Sequence, residues 1–182
     1  FSIYYLESFG TSRICLSPEL TLEQIKALNG QKPLEVLIHG RLPLMILEHC
    51  LPGNLSRGTQ EKKACGQPCR SKGFVLSDRL NFHFPVETDM DCRNWIYNAK
   101  TLKMLEHISL LQQMQVQYYR IEAVHERPLW IQTVAQAYLA AIDRGFDQSK
   151  DVRGQSDHLQ FQERLNQITP QGFTAGHYFR GV

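Results

Sequence analysis

The sequence predicts an α/β fold in which strands and helices alternate as in about half of an eight-stranded barrel, with a cysteine-rich insertion breaking the alternation. Three observations carry this. Short apolar, β-branched runs ("SRICLS", "LEVLIHG", "VQYYRIEAV") recur along the chain, helical periodicity separates them, and about four βα steps can be counted. From about residue 40 to 97 the rhythm gives way to Gly, Pro, Asn and Ser punctuation that contains four of the five cysteines.

The chain begins with Phe1, and "FSIYYLESFG" reads as the last turns of a helix stopped by Gly10, so a fragment of a longer protein is expected. After the "SRICLS" strand, "SPELTLEQIKALNG" is a helix with Thr21 placed to cap it and Glu23 in its first turn. Leu22, Ile25 and Leu28 repeat at helical spacing, and Asn29-Gly30 ends it. "LEVLIHG" from Leu34 is a buried strand, so strand, helix and strand make a parallel unit. Inside the insertion, "GFVLSDRLNFHFPVETD" is expected to fold as a hairpin. From Asn98, "NAKTLKMLEHISLLQQM" is expected as one amphipathic helix, then "VQYYRIEAV" as a strand and "RPLWIQTVAQAYLAAIDRG" as a helix with Pro128 near its start and Gly145 past its end. Residues 1–145 are thus read as the βα portion, and 146–182 as a polar linker with one short helix and a glycine-rich tail.

The 182 residues are 42% hydrophobic and 21% charged, which excludes a disordered chain. No apolar run reaches the roughly 18 residues a membrane helix needs, and no signal pattern opens the chain, so a cytoplasmic protein without membrane partners is expected. An odd number of cysteines fits a reducing compartment better than a disulfide framework. The net charge of +2 does not announce nucleic-acid binding. Its distribution says more: between Arg57 and Arg79 stand Arg57, Lys62, Lys63, Arg70, Lys72 and Arg79 against only Glu61 and Asp78, a local +4 around the cysteines. Such a run is either a surface for RNA phosphates or a solvated loop.

Cys50, Cys65, Cys69 and Cys92 read as C-x14-C-x3-C-x22-C. Four thiolates are a usual complement for zinc or an iron-sulfur cluster, and Gly66 and Pro68 allow the chain to turn between Cys65 and Cys69. The alternative is a set of independent buried or loop thiols. Cys15, on an apolar strand, is expected in the core.

"SPEL", "EVLIHGR", "CGQPCR", "DCRNWIYNAKTLKML" and "YYRIEA", in this order between about Ser12 and Gly145, together resemble the collagenase-like peptidase family U32. The resemblance implies the C-terminal half of a (β/α)8 barrel, completed by an N-terminal half. It also implies chemistry beyond proteolysis, because similar proteins act in hydroxylating RNA bases or a quinone precursor with a four-cysteine iron-sulfur cluster. On that analogy Cys50, Cys65, Cys69 and Cys92 hold a [4Fe-4S] cluster, with zinc held partly by His39 as the alternative. The family signature is incomplete here: Glu35 and Gly40 fit, but Pro43 stands where the first Cys is expected and Glu48 where the second Gly is.

In a barrel, Arg120 and Glu122 would lie at the mouth of the active site as catalytic candidates; the plainer reading is an internal ion pair that fixes strand register. Arg41, Arg70, Arg79 and Arg93 are candidate substrate contacts, although Arg41 and Arg93 could equally pair with Glu48 or Asp91. A peptidase would need a nucleophile and base, such as a cysteine with His49 or His83; neither H-E-x-x-H nor G-x-S-x-G occurs. Three functions therefore compete: iron-sulfur-dependent hydroxylation of a tRNA or rRNA base, collagenase-like proteolysis, and a non-catalytic module stapled by zinc. The expected partners are RNA or a peptide, the N-terminal half of the barrel, and a second copy of the chain.

Overall fold

The computed structural model describes residues 2–28, 33–57, 65–70, 73–124, 126–144 and 152–180 of a mixed α/β chain that divides into two units. The first unit comprises Phe1–Gly40 and Leu102–Val182, the second Arg41–Thr101.

In the first unit a short helix, α1 (Ser2–Ser8), precedes β1 (Ile14–Cys15) and α2 (Leu22–Ala27). Thr21 and Gln24 exchange hydrogen bonds at the start of α2, a capping box completed by Gln24 next to the Glu23 that the sequence singles out. The Asn29-Gly30 stop lies outside the described residues. β2 (Leu34–Gly40) is the centre of the sheet, buried from Val36 to Gly40. β1 pairs with it in parallel, and so does β8 (Tyr118–Ile121). β7 (Thr101–Lys103) runs antiparallel to its last two residues, and β9 (Phe173–Thr174) pairs with β7. His39 pairs with both Lys103 and Ile121, so β7 and β8 flank it on opposite sides.

α4 (Ile108–Gln113), α5 (Pro128–Arg144) and α6 (Val152–Ile168) supply the helices that follow. Along α5, Trp130, Val134, Ala137, Tyr138 and Ala141 are buried at spacings of three and four, the stripe expected of a helix with one face on a core. α6 packs on α5 and buries Leu165 completely. The segment read as linker and tail therefore contains a 17-residue helix, and beyond it Tyr178 is buried with its hydroxyl donating to the Leu37 carbonyl. Polar composition concealed this because only isolated apolar residues of the tail enter the core.

The second unit is a four-stranded antiparallel sheet in the order β3 (Pro43–Leu47), β6 (Asn94–Tyr97), β5 (His83–Thr88), β4 (Phe74–Ser77), with α3 (Leu51–Arg57) after β3. The expected hairpin is present: Phe74–Ser77 pair with Val86–His83 around a turn in which Asp78 Oδ1 accepts from the Leu80 and Phe82 amides.

Two expectations are corrected. Asn98–Met114 is not one helix: Thr101–Lys103 form β7, a 3-10 turn follows at Leu105–His107, and α4 begins only at Ile108. Pairing with His39 and Gly40, continued by Met104 N–H donating to the Ile38 carbonyl, overrides the helical periodicity of the stretch. Cys15 is exposed rather than in the core; on the two-residue β1 it is Ile14 that faces inward. Among the described residues no helix is long and apolar enough to cross a membrane.

Candidate functional site

All four cysteines of the spaced set lie in the second unit. Cys50 directly precedes α3, its carbonyl accepts from Asn54 N–H, and its Sγ accepts from Gly53 N–H at 3.3 Å. Gly53 is the point on which two cysteines converge. A Cβ placed there would stand 3.1 Å from Cys50 Sγ and 3.4 Å from Cys65 Cβ, so any larger residue would push them apart. Between Cys65 and Cys69 the backbone reverses through two left-handed residues, Gly66 (φ 67°) and Gln67 (φ 51°), into a 3-10 turn at Pro68–Arg70 that packs on α3. Gly66 is the turn the sequence suggests; the strained Gln67 beside it is not legible there.

Cys92 sits in the β5–β6 turn, exposed and left-handed at φ 62°. Asp89 organises that turn. Its Oδ1 accepts from the Asp91 and Arg93 amides, and its Oδ2 accepts from Arg93 Nε at 2.8 Å and Trp95 Nε1 at 3.3 Å. Against a desolvation that would raise it, the bonds from Trp95 and Arg93 hold the Asp89 carboxyl below its usual range. Arg93 is thus engaged by Asp89 and, at 3.2 Å, by Asp91, as the plainer reading of this residue expects.

Asn94, which the sequence did not single out, ties these pieces together. It is completely buried, its Oδ1 accepts from Leu51 N–H, and its Nδ2 donates to Thr88 Oγ1 at 3.0 Å. Leu51 follows Cys50 and Asn94 lies two residues beyond Cys92, so this bond brings the Cys50 and Cys92 backbones to one end of the sheet. The donors suit a thiolate-held group in kind, and Gly53 leaves space for two of them. Among the described residues, however, no three His, Cys, Asp or Glu side chains stand close enough to hold a metal ion in this conformation.

Of the basic candidates in this unit, Arg70 lies in the 3-10 turn and Arg79 in the β4–β5 turn, both exposed. Arg41 is half-buried, and its Nε–H donates no hydrogen bond among the described residues. Lys62, Lys63 and Lys72 lie outside the described residues. His83 Nδ1 is hydrogen-bonded to Ser77 Oγ at 2.8 Å across the hairpin.

Arg120, Glu122 and His39 belong to the first unit. Arg120 Nε stands 3.9 Å from Glu35 Oε1 on the neighbouring strand, and Arg13 Nε is 3.3 Å from the other oxygen of the same carboxylate, so among the described residues Arg120 pairs with Glu35 and not with Glu122. The Glu122 amide donates to the His39 carbonyl, and its backbone crosses so near Gly40 that a Cβ there would overlap the Glu122 carbonyl. His39 is completely buried among Trp130, Tyr138 and Phe173. The Tyr138 hydroxyl donates to the Ile38 carbonyl and accepts from Met104 N–H, so the contact at 3.1 Å is His39 Nδ1–H donating to it. Nε2 is left without a partner among the described residues. Desolvation, helped by Lys103, lowers the His39 pKa to about 3, so the ring is neutral.

A family model described as Peptidase family U32 matches residues 2–181. The chain is 28% identical over 180 residues to an uncharacterized protease of Methanocaldococcus jannaschii, covering 93% of this chain and 42% of that protein. It is 24% identical over 179 residues to a collagenase of Porphyromonas gingivalis, covering 91% of this chain and 41% of the relative. It is 21% identical over 218 residues to the tRNA hydroxylation protein P of Escherichia coli, covering 96% of this chain and 47% of the relative. The chain spans less than half the length of each of these curated relatives. No solved structure matches it.

Proposed function

The chain belongs to peptidase family U32, and within that family we propose that it is part of a cytoplasmic enzyme supporting hydroxylation of a base in tRNA or rRNA with a [4Fe-4S] cluster. The observation that carries this reading is the approach of Cys50 and Cys65 to Gly53, with the Cys69 turn packed on α3 and Asn94 drawing the Cys92 turn to the same end of the sheet. The name of the tRNA hydroxylation relative supplies the substrate class.

On this reading Cys50, Cys65, Cys69 and Cys92 hold the cluster, which when bound supplies one-electron transfer. The chain's own share is ligation and orientation. Gly53 N–H donates to Cys50 Sγ and orients it, and Asp89 with Arg93 fixes the turn from which Cys92 projects. Exposed Arg70 and Arg79 contact RNA phosphates. Arg120 and Glu122 are the catalytic candidates of the first unit, whose parallel strands β1, β2 and β8 form part of a (β/α)8 barrel completed by an N-terminal half.

Deleting the encoding gene and measuring hydroxylated bases in total tRNA and rRNA by mass spectrometry tests the proposal. One hydroxylated nucleoside should vanish, return with the full-length gene, and stay absent with the Cys65→Ala, Cys69→Ala variant. An unchanged nucleoside profile contradicts it.

The second reading, peptide cleavage, draws on the relatives named collagenase and protease and on the Ser77–His83 contact, a hydroxyl beside a base. Gelatin cleavage by the full-length protein, abolished by Ser77→Ala, would favour it over hydroxylation.

A further inference from the structure

β3 (Pro43–Leu47) is the outermost strand of the second unit's sheet, paired on one side with β6. Among the described residues nothing pairs with its other side. Leu44, Met45 and Ile46 are 54%, 52% and 49% exposed. Successive side chains of a strand point to opposite faces, so three apolar residues exposed in a row leave both faces of this edge open. Sheet edges are ordinarily guarded by a charge within the strand, a proline or a bulge. Here Pro43 and the pairing irregularity at Leu44, between Pro43 and Met45, occupy the beginning of the strand, and Met45 to Leu47 carry no guard.

The charges that flank the strand say what fits it. "RLPLMILE" is a basic residue, six apolar residues and an acidic one, Arg41 to Glu48. Among the described residues neither Arg41 nor Glu48 forms a salt bridge. If two such strands pair antiparallel with Leu44 of one opposite Met45 of the other, Arg41 of each falls opposite Glu48 of the other and the six apolar residues match in between. Parallel pairing would instead set like charges side by side. The segment is therefore self-complementary about a two-fold axis, the property an isologous interface requires.

We propose that β3 pairs antiparallel with β3 of a second copy of this chain, giving a two-fold dimer whose second units share one continuous eight-stranded sheet, four strands from each copy. Backbone hydrogen bonds along the open edge supply much of the affinity, and the Arg41–Glu48 cross-pairs set direction and register.

Sedimentation velocity of the full-length protein over a range of concentrations tests this, with amide exchange read at Leu44 to Leu47. The expected result is a dimer in which those amides are protected. Met45→Lys, which sets like charges near the axis, should give a monomer with an unchanged circular-dichroism spectrum. Glu48→Arg should weaken dimerisation about tenfold or more, and adding Arg41→Glu should restore it to within about threefold of the original, since the reversed pairs are equivalent. A monomer at all concentrations overturns the proposal, whether the edge amides exchange freely or are covered by another segment or another protein. A dimer indifferent to Met45→Lys, or a charge reversal without rescue, overturns it equally.

Discussion

His39 and Gly40 do different work side by side at the end of β2. The pKa of His39 falls from the ordinary 6.5 to about 3 because burial, and then Lys103, oppose its charge. The unfolded chain accordingly takes up this proton first as pH falls. The stability that neutral His39 permits is complete above about pH 6.5 and is lost progressively toward pH 3, with a slope of up to about 1.4 kcal/mol per pH unit. Denaturant unfolding at pH 7 and pH 5 should therefore show a smaller acid loss in His39→Phe than in the parent chain; equal losses would mean the ring is not held neutral. Gly40 has φ 138° and no room for a Cβ against Glu122. Gly40→Ala should cost about 2–3 kcal/mol in the same assay. The sequence marks both residues through "LIHG", yet the aromatic shell of His39 comes from α5 and β9, more than eighty residues away, which no local pattern reveals.

At the scale of elements, legibility followed the range of the forces. The α2 cap, the β4–β5 hairpin and the apolar stripe of α5 arise from neighbours in sequence, and each was readable. β7 was not, because its strand conformation comes from pairing with His39 and Gly40 across the sequence. The turn holding Cys92 was half readable: Asp91 and Arg93 were paired from sequence, but the organising carboxylate is Asp89. Asn94 was missed, since a single Asn beside a Trp carries no pattern. Its removal should matter, because Asn94→Ala strands the Leu51 amide and loses the Thr88 contact. A loss of about 1–3 kcal/mol is expected, with faster amide exchange at Leu51 and Gly53. Unchanged exchange there would show that Asn94 does not hold α3 to the sheet.

For the whole molecule, the ordered motifs made the family readable, and the family model confirms it over nearly the full chain. The division into two units was less legible, because Thr101 lies within a stretch whose periodicity is helical and the unit ends there. Spacing alone left the cysteines open between ligands and loop thiols; the geometry adds the shared approach of Cys50 and Cys65 to Gly53. Whether these cysteines hold a cluster is read by oxygen-free purification of the full-length protein, with its visible spectrum and its iron, sulfide and zinc content, beside the Cys65→Ala, Cys69→Ala variant. About four irons and four sulfides per chain are expected, with broad absorption at roughly 400 nm, all lost in the variant. Stoichiometric zinc, or iron and sulfide that persist without Cys65 and Cys69, would contradict it.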